Sequence, residues 1–312
     1  MPLVSMNGLL ADARAGGYAV CYCESWNLES LQAVVEGAEA MNSPIIAGFN
    51  GGFLRHPSRT RPERLAYYGA LSAALAASAV PTAFLLNETD DPAQMQEGLE
   101  QGFNAIMVEG DSLAPEQYLD LVKKVVRMAH ARSASVEAQV GRLPHGCGGG
   151  PGDGEATSPG LARAFVEKTG VDALGVSIGN VHILTRGKAS IDIESLARIR
   201  EQVSVPLVVH GGTGFPAEYA AQAIGLGVAK FNFGTNLKQA YLAALRERLA
   251  PYAEPMNPHP FLGMGGQEDI LVAARMAVKR RVQELVETYS FAGARFRPGA
   301  ARLGRPPGNS KG

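Results

Sequence analysis

Short apolar, β-rich runs recur eight times along this chain, separated for the most part by segments with helical spacing. The runs are YAVCYC (18–23), SPIIAGF (43–49), VPTAFLLN (80–87), NAIMVEG (104–110), ASVEAQVG (134–141), DALGVSIG (172–179), VPLVVHG (205–211) and AKFNFGT (229–235). Between them, NLESLQAVVEGAEAM, AQMQEGLEQG, APEQYLDLVKKVVRMAHA, PGLARAFVEKTG, IESLARIREQV and PAEYAAQAIGLG place apolar residues three and four positions apart. Punctuation agrees with that reading. Thr157 or Ser158 stands ahead of Pro159 at one helix start with Gly170 as its stop, and Pro216 opens another that ends at Gly225 or Gly227. Strand and helix in strict alternation demand a parallel sheet, because each helix carries the chain back over it. Eight repeats in 312 residues predict an α/β fold, a closed (β/α)8 TIM barrel, ahead of an open doubly wound sheet.

Residues 1–291 are accordingly read as one barrel domain. RLPHGCGGGPGDGEATS, residues 142–158, holds too much Gly and Pro to pack and reads as a mobile loop over the fifth strand end. Residues 292–312 form a basic, Pro/Gly-rich tail that reads as disordered.

The 29 basic and 30 acidic residues nearly cancel, so no long-range field recruits nucleic acid or an anionic membrane, and a small-molecule substrate is expected. Three cysteines, an odd number, argue against a disulfide framework and for a reducing cytoplasm. No basic-then-apolar leader opens the sequence, and no apolar run approaches the roughly 18 residues of a membrane span.

A barrel of this kind works at the carboxyl ends of its strands, where side chains distant in sequence converge. The polar residues falling there are Glu24, Asn50, Asn87, Glu88, Glu109, Glu137, Gln139, His182, His210, Asn232 and Thr235. His182 and His210 end neighbouring runs, and with Glu88 they supply two nitrogens and a carboxylate, the ligand set of a catalytic zinc site or a facial-triad iron site. Zn2+ is the first expectation, with Fe2+, Mn2+ or Co2+ as the other ions such ligands take. After the seventh run comes GGTG and after the eighth NFGTN, the region where backbone amides and a helix N-terminus grip phosphate in such barrels. Gly211 and Gly212 let the backbone approach an anion, Thr213 and Thr235 add hydroxyls, Gly179 and Gly234 belong to the same set, and Arg186 would act as a charged clamp.

TGVDALGVSIGNVH, IDIESLARIREQVSVPLVVHGGTGFP and AIGLGVAKFNFGTNL resemble, in order and spacing, the class II, metal-dependent fructose-bisphosphate and tagatose-bisphosphate aldolase family, and the likeness extends to about residue 290. The resemblance implies metal ligation by His182 and His210, phosphate binding by Gly211 and Thr213, substrate contacts from Asn232 and Thr235, and a phosphate-holding role for Arg186 where the family has lysine. It also implies a homo-oligomer, a dimer or tetramer.

The third strand end departs from the family. An Asp-His pair there supplies a proton carrier and the first metal ligand, whereas this chain has Asn87-Glu88. Asn87 cannot exchange a proton near neutral pH, while Glu88 can still ligate. Glu24 replaces an asparagine, Asn50 a serine, Gln139 a glutamate, and Ile183 the glycine after His182. These changes predict an aldolase-type lyase of diverged specificity acting on a phosphorylated keto or hydroxycarbonyl compound. Asp153 or Glu155 would act as base, and Glu24 or Glu109 would replace the missing acid at Asn87. The alternatives are an isomerase or iron enzyme on the same scaffold, or a non-catalytic phosphosugar-binding homologue.

Overall fold

Eight parallel strands close on themselves in chain order: β1 (Val20–Ser25), β2 (Ile45–Asn50), β3 (Thr82–Thr89), β4 (Ala105–Val108), β5 (Ser135–Val140), β6 (Ala173–Val176), β7 (Leu207–Val209) and β8 (Val228–Phe233). β8 pairs back onto β1, with Cys21 opposite Phe231 and Tyr22 opposite Asn232, which seals the ring. The computed structural model describes residues 3–146 and 154–291. The tail 292–312, Asp153 and the middle of the 142–158 loop lie outside the described residues.

Helices follow the strands as the spacing predicts: Leu28–Ala40, Pro92–Glu100, Pro115–His130, Pro159–Thr169, Ile193–Gln202 and Ala220–Gly225. Their ends have local causes. The Asn27 side chain accepts from the Ser30 N–H while the Ser30 hydroxyl accepts from the Asn27 N–H, satisfying two donors that a helix start leaves free. Pro159 fills the first position of its helix, and Gly170 at φ 71 ends it by donating its N–H to the Val166 carbonyl. Between β2 and β3 the chain forms only short helices, Gly51–Leu54, Leu65–Gly69 and Ser72–Ala76. After β8 come Thr235–Leu249 and Ile270–Leu285, the latter running on into a π-helical turn, Val286–Ser290.

The strand pleat divides the core in two. Cys21, Cys23, Phe49, Phe84 and Phe231 point outward and are buried under the helices. Both of these cysteines are free thiols. Tyr22, Ile46, Leu85, Met107 and Val208 point inward. At the amino-terminal end this inner layer meets Met6, Leu9, Leu10 and Ala13 of a helix, Met6–Gly16, that stops the base of the barrel. Ser5 caps its start and Gly17, at φ 67, its end. No helix among the described residues is long and apolar enough to cross a membrane.

Candidate active site

At the opposite end, side chains from the strand ends surround a cavity of about 400 Å3. Asn87 and Glu88 both line it, although consecutive strand residues ordinarily face opposite ways. The backbone explains this. The β3–β4 pairing slips between Leu86 and Thr89, and Glu88 sits at φ 51, a left-handed conformation uncommon outside glycine. This break turns Glu88 into the mouth, where its Oε1 lies 3.5 Å from His182 Nε2 and 3.5 Å from His210 Nδ1. Asn87 donates to Oε1 at 2.9 Å and Asn50 donates to Oε2 at 2.6 Å. Burial alone would raise the Glu88 carboxyl, but the two imidazoles outweigh it and hold the group well below the usual carboxylate range.

His210, 3 % exposed at the end of β7, is fixed from behind. Its Nε2 lies 2.7 Å from Glu137 Oε1, and Glu137 Oε2 accepts from Lys230 Nζ at 2.5 Å, with Glu137 and Lys230 both 0 % exposed. Burial would lower the His210 pKa, yet the hydrogen bonds to Glu137 and Glu88 raise it to about 9. His182 is placed by its backbone, whose N–H donates to Pro144 O at 2.9 Å and whose carbonyl accepts from Gly146 N at 2.8 Å. Here too burial opposes protonation and Glu88 overrides it, so the pKa is raised.

Glu24, at the end of β1, reaches the opposite wall and accepts from Lys238 Nζ at 2.6 Å. Burial raises its carboxyl and Lys238 offsets part of that rise. Gly234 makes room for it, since a Cβ there would overlap Glu24 Oε2. Gly211, Thr213, Asn232, Gly234 and Thr235 complete this side of the cavity. Gly211 opens a 3-10 turn, Gly212–Gly214, and Thr235 begins a 15-residue helix whose positive dipole end faces the region between β7 and β8, where the Asn236 N–H donates to Thr213 Oγ1 at 3.4 Å. Gly211 is at φ 68 and a Cβ would overlap the Val181 carbonyl oxygen. Gly211→Ala is therefore expected to destabilise the fold by about 2 kcal/mol or more, combining left-handed strain with a backbone clash; chemical denaturation measures it, with an unchanged midpoint as the contrary result.

Other residues singled out in the sequence lie elsewhere. Glu109 and Glu155 line a neighbouring cavity beside β4 and β5, where Gln139 is also found. There Glu109 Oε1 accepts from the Gly110 and Asp111 N–H groups. Gly179, at φ 95, makes a turn against the Ser190 carbonyl; it does not line the main cavity, nor does Gly212 or exposed Arg186. Two lysines join the site with no sequence signal strong enough to mark them. Lys230 lies inside an apolar strand, and Lys238 is an ordinary helix residue one turn past Thr235.

Tyr22 Oη, Asn87 Oδ1 and Asn232 Oδ1 are buried in the cavity wall with no hydrogen-bond partner, so polar ligand atoms are what this wall is built to meet. The donor types around Glu88 suit a divalent ion: two imidazoles, one carboxylate, and a second carboxylate, Glu137, fixing one imidazole. As placed they are an ion-paired cluster, and no three His, Cys, Asp or Glu side chains among the described residues form a group that could hold a metal ion.

A closed barrel with acid, imidazole and backbone-amide groups converging at its strand ends is the framework of an enzyme. The chain belongs to the class-II fructose-bisphosphate aldolase family, whose model matches residues 4–294, and it is thus a lyase of the aldolase type. Members of the family generally depend on a divalent metal. Among solved structures the chain is similar to the YdjI aldolase from Escherichia coli K12, at 28% identity and a TM-score of 0.75 over 94% of this chain and 100% of that one. Two further likenesses attest the fold. A putative fructose-1,6-biphosphate aldolase from Coccidioides immitis has 24% identity and a TM-score of 0.75 over 93% of this chain and 96% of its own. The fructose-bisphosphate aldolase of Campylobacter jejuni has 21% identity and a TM-score of 0.73 over 95% and 97%.

Proposed function

We propose that this protein is a metal-dependent lyase that makes and breaks a carbon–carbon bond in a phosphorylated keto or hydroxycarbonyl compound, such as a ketose phosphate or an adduct of dihydroxyacetone phosphate, with a specificity diverged from fructose 1,6-bisphosphate. The observation that carries this is the convergence of Glu88, His182 and His210 beside the backbone cradle of Gly211, Thr213, Gly234 and Thr235 in one cavity. Glu88, His182 and His210 would hold the ion, Zn2+ first. What supports this is the donor chemistry alone, two imidazoles and a carboxylate at one cavity wall. When bound, the ion supplies Lewis-acid polarisation of the substrate ketone.

The chain's own residues do the rest. The cradle fixes one phosphate through backbone N–H groups, the Thr213 and Thr235 hydroxyls, and Asn232. Asn87 braces Glu88 rather than moving protons. In the cleavage direction a base must take the proton of the substrate hydroxyl, and Glu24 is the carboxylate in the cavity whose oxygens are committed to neither imidazole. Burial raises the Glu24 carboxyl and so favours its taking up a proton, while the Lys238 ion pair offsets part of that rise. Glu109 and Glu155 belong to the neighbouring cavity, and Arg186 and Gly179 stand outside the cradle. Free, buried Cys21 and Cys23 accord with a cytoplasmic setting, and a homo-oligomer is proposed from the family.

The test is elemental analysis of protein prepared without chelator, followed by assay of aldol cleavage and condensation with dihydroxyacetone phosphate before and after metal removal. About one ion per chain and activity that returns with that ion support the reading; full activity in metal-free protein overturns it. Glu24→Gln is expected to lower kcat for cleavage on the order of 10²–10⁴-fold. Because Glu24 works ionised and its carboxyl is raised by burial, wild-type kcat/KM should climb with pH on an acidic limb above the ordinary carboxylate value, and the variant should lack that limb. A pH–rate profile reads both.

A further inference from the structure

Beside Asn50, Thr185, Lys238 and Gln239, the cavity wall carries apolar side chains, Phe53, Ile183 and Leu242, that a polyol or a second phosphate cannot use. Phe53, on the short helix Gly51–Leu54, is 41% exposed and Leu242 is 63% exposed, and both line the cavity. Leu242 lies one helical turn beyond Lys238, on the same face, so the two side chains form one surface. Lys238 is the one Lys or Arg among the described residues of the cavity wall. Its ammonium is already matched by Glu24 at 2.6 Å and covers the Phe53 ring at 4.4 Å from the centroid. Ile183 belongs to the same wall and sits at φ 53, a left-handed conformation that β-branched residues rarely adopt. Strained backbone of this kind clusters at ligand-binding walls, and here it holds an apolar side chain at the cavity. The backbone cradle between β7 and β8 serves one phosphate, and no second cation-bearing cradle lines the cavity among the described residues.

We propose that the aldehyde fragment handled by this enzyme is apolar, an aromatic or branched aliphatic aldehyde, and that its substrate carries a single phosphate, on the ketone half. This rests on the lyase reading above. In cleavage, the bond breaks between the hydroxyl-bearing carbon that holds the apolar group and the carbon next to the ketone. The hydroxyl proton passes to a base and that carbon departs as the aldehyde. The bonding pair stays with the three-carbon fragment, which takes up a proton to become dihydroxyacetone phosphate. The balance requires no oxidant, reductant or further reactant.

The experiment uses the metal-loaded full chain and two readouts. Deuterium exchange from solvent into dihydroxyacetone phosphate, followed by NMR without any aldehyde, reports the lyase half-reaction. Condensation of dihydroxyacetone phosphate with phenylacetaldehyde, isobutyraldehyde, glycolaldehyde and glyceraldehyde 3-phosphate then reports the preference as kcat/KM. The expected result is exchange together with an advantage of at least about tenfold for the apolar aldehydes, the scale that contacts in a hydrophobic pocket provide. Leu242→Asn and Ile183→Gly are each expected to shrink that ratio several-fold, with Phe53→Asn, at an exposed position, as the further variant if either fails to fold. Exchange with an equal or reversed preference overturns the inference and spares the lyase reading. Absence of exchange overturns the lyase reading and this inference with it.

Discussion

Replacing Glu88 with alanine is expected to lower kcat/KM for carbon–carbon cleavage by about three orders of magnitude, the several kcal/mol of charge stabilisation that a correctly held divalent ion provides. The size of the effect follows from how many groups converge on one carboxylate. Glu88 faces both imidazoles at 3.5 Å and receives hydrogen bonds from Asn87 and Asn50. Its removal leaves two imidazoles without the carboxylate between them and two amides without their acceptor. Metal content, read by elemental analysis alongside steady-state rates, should fall with activity. Cleavage that survives in Glu88→Ala at the wild-type rate would show that the reaction runs without this cluster.

The second large effect concerns the ion pair behind His210. Lys230→Met keeps the length of the side chain but removes the charge that matches Glu137, and both residues are fully buried. Breaking one side of such a pair typically costs about 3–5 kcal/mol, because the remaining charge has neither water nor partner. Urea denaturation of the variant should show that loss, and Lys230→Met with Glu137→Gln should regain part of it, since the double variant leaves no uncompensated carboxylate. The pH dependence has a definite sign. Burial would raise Glu137, but Lys230 and His210 pull it below the ordinary carboxylate range. Its stabilising contribution is therefore complete above the unfolded carboxyl pKa and disappears as pH falls through the lowered folded value. In Lys230→Met the largest downward pull is gone, so this acid-induced loss should shrink. A variant as stable as the parent at neutral pH would mean that the pair contributes nothing.

The barrel was legible because its signal is repetitive. Eight apolar runs alternate with helices whose stops, such as Gly170 at φ 71, mean the same thing locally as they do in the fold. The base of the barrel was legible only in hindsight: Ser5 and Gly17 cap Met6–Gly16, but a helix ahead of the first strand stands outside the repeat. Placing residues at strand ends brings Glu24, Asn87, Glu88, His182 and His210 to one level, and the structure gathers all five around one cavity. That placement fixes height and leaves azimuth open. Glu109 stands at the same height, yet its carboxylate turns back onto the Gly110 and Asp111 amides and lines the adjacent cavity. Glu88 turns inward because of a slipped register and a left-handed φ, neither of which has a residue signature. Lys230 and Lys238 were beyond reach for another reason. Their partners, Glu137 and Glu24, are 93 and 214 positions away, and no local pattern encodes a pairing across such distances.

The helix under the barrel closes its amino-terminal end, opposite the cavity at the strand ends. Met6, Leu9, Leu10 and Ala13 close the far end against Val20, Tyr22 and Ile46, so nothing drains through the bottom. On the lyase reading proposed above, both fragments of a cleaved molecule would therefore leave on the side where the strand ends meet the cavity.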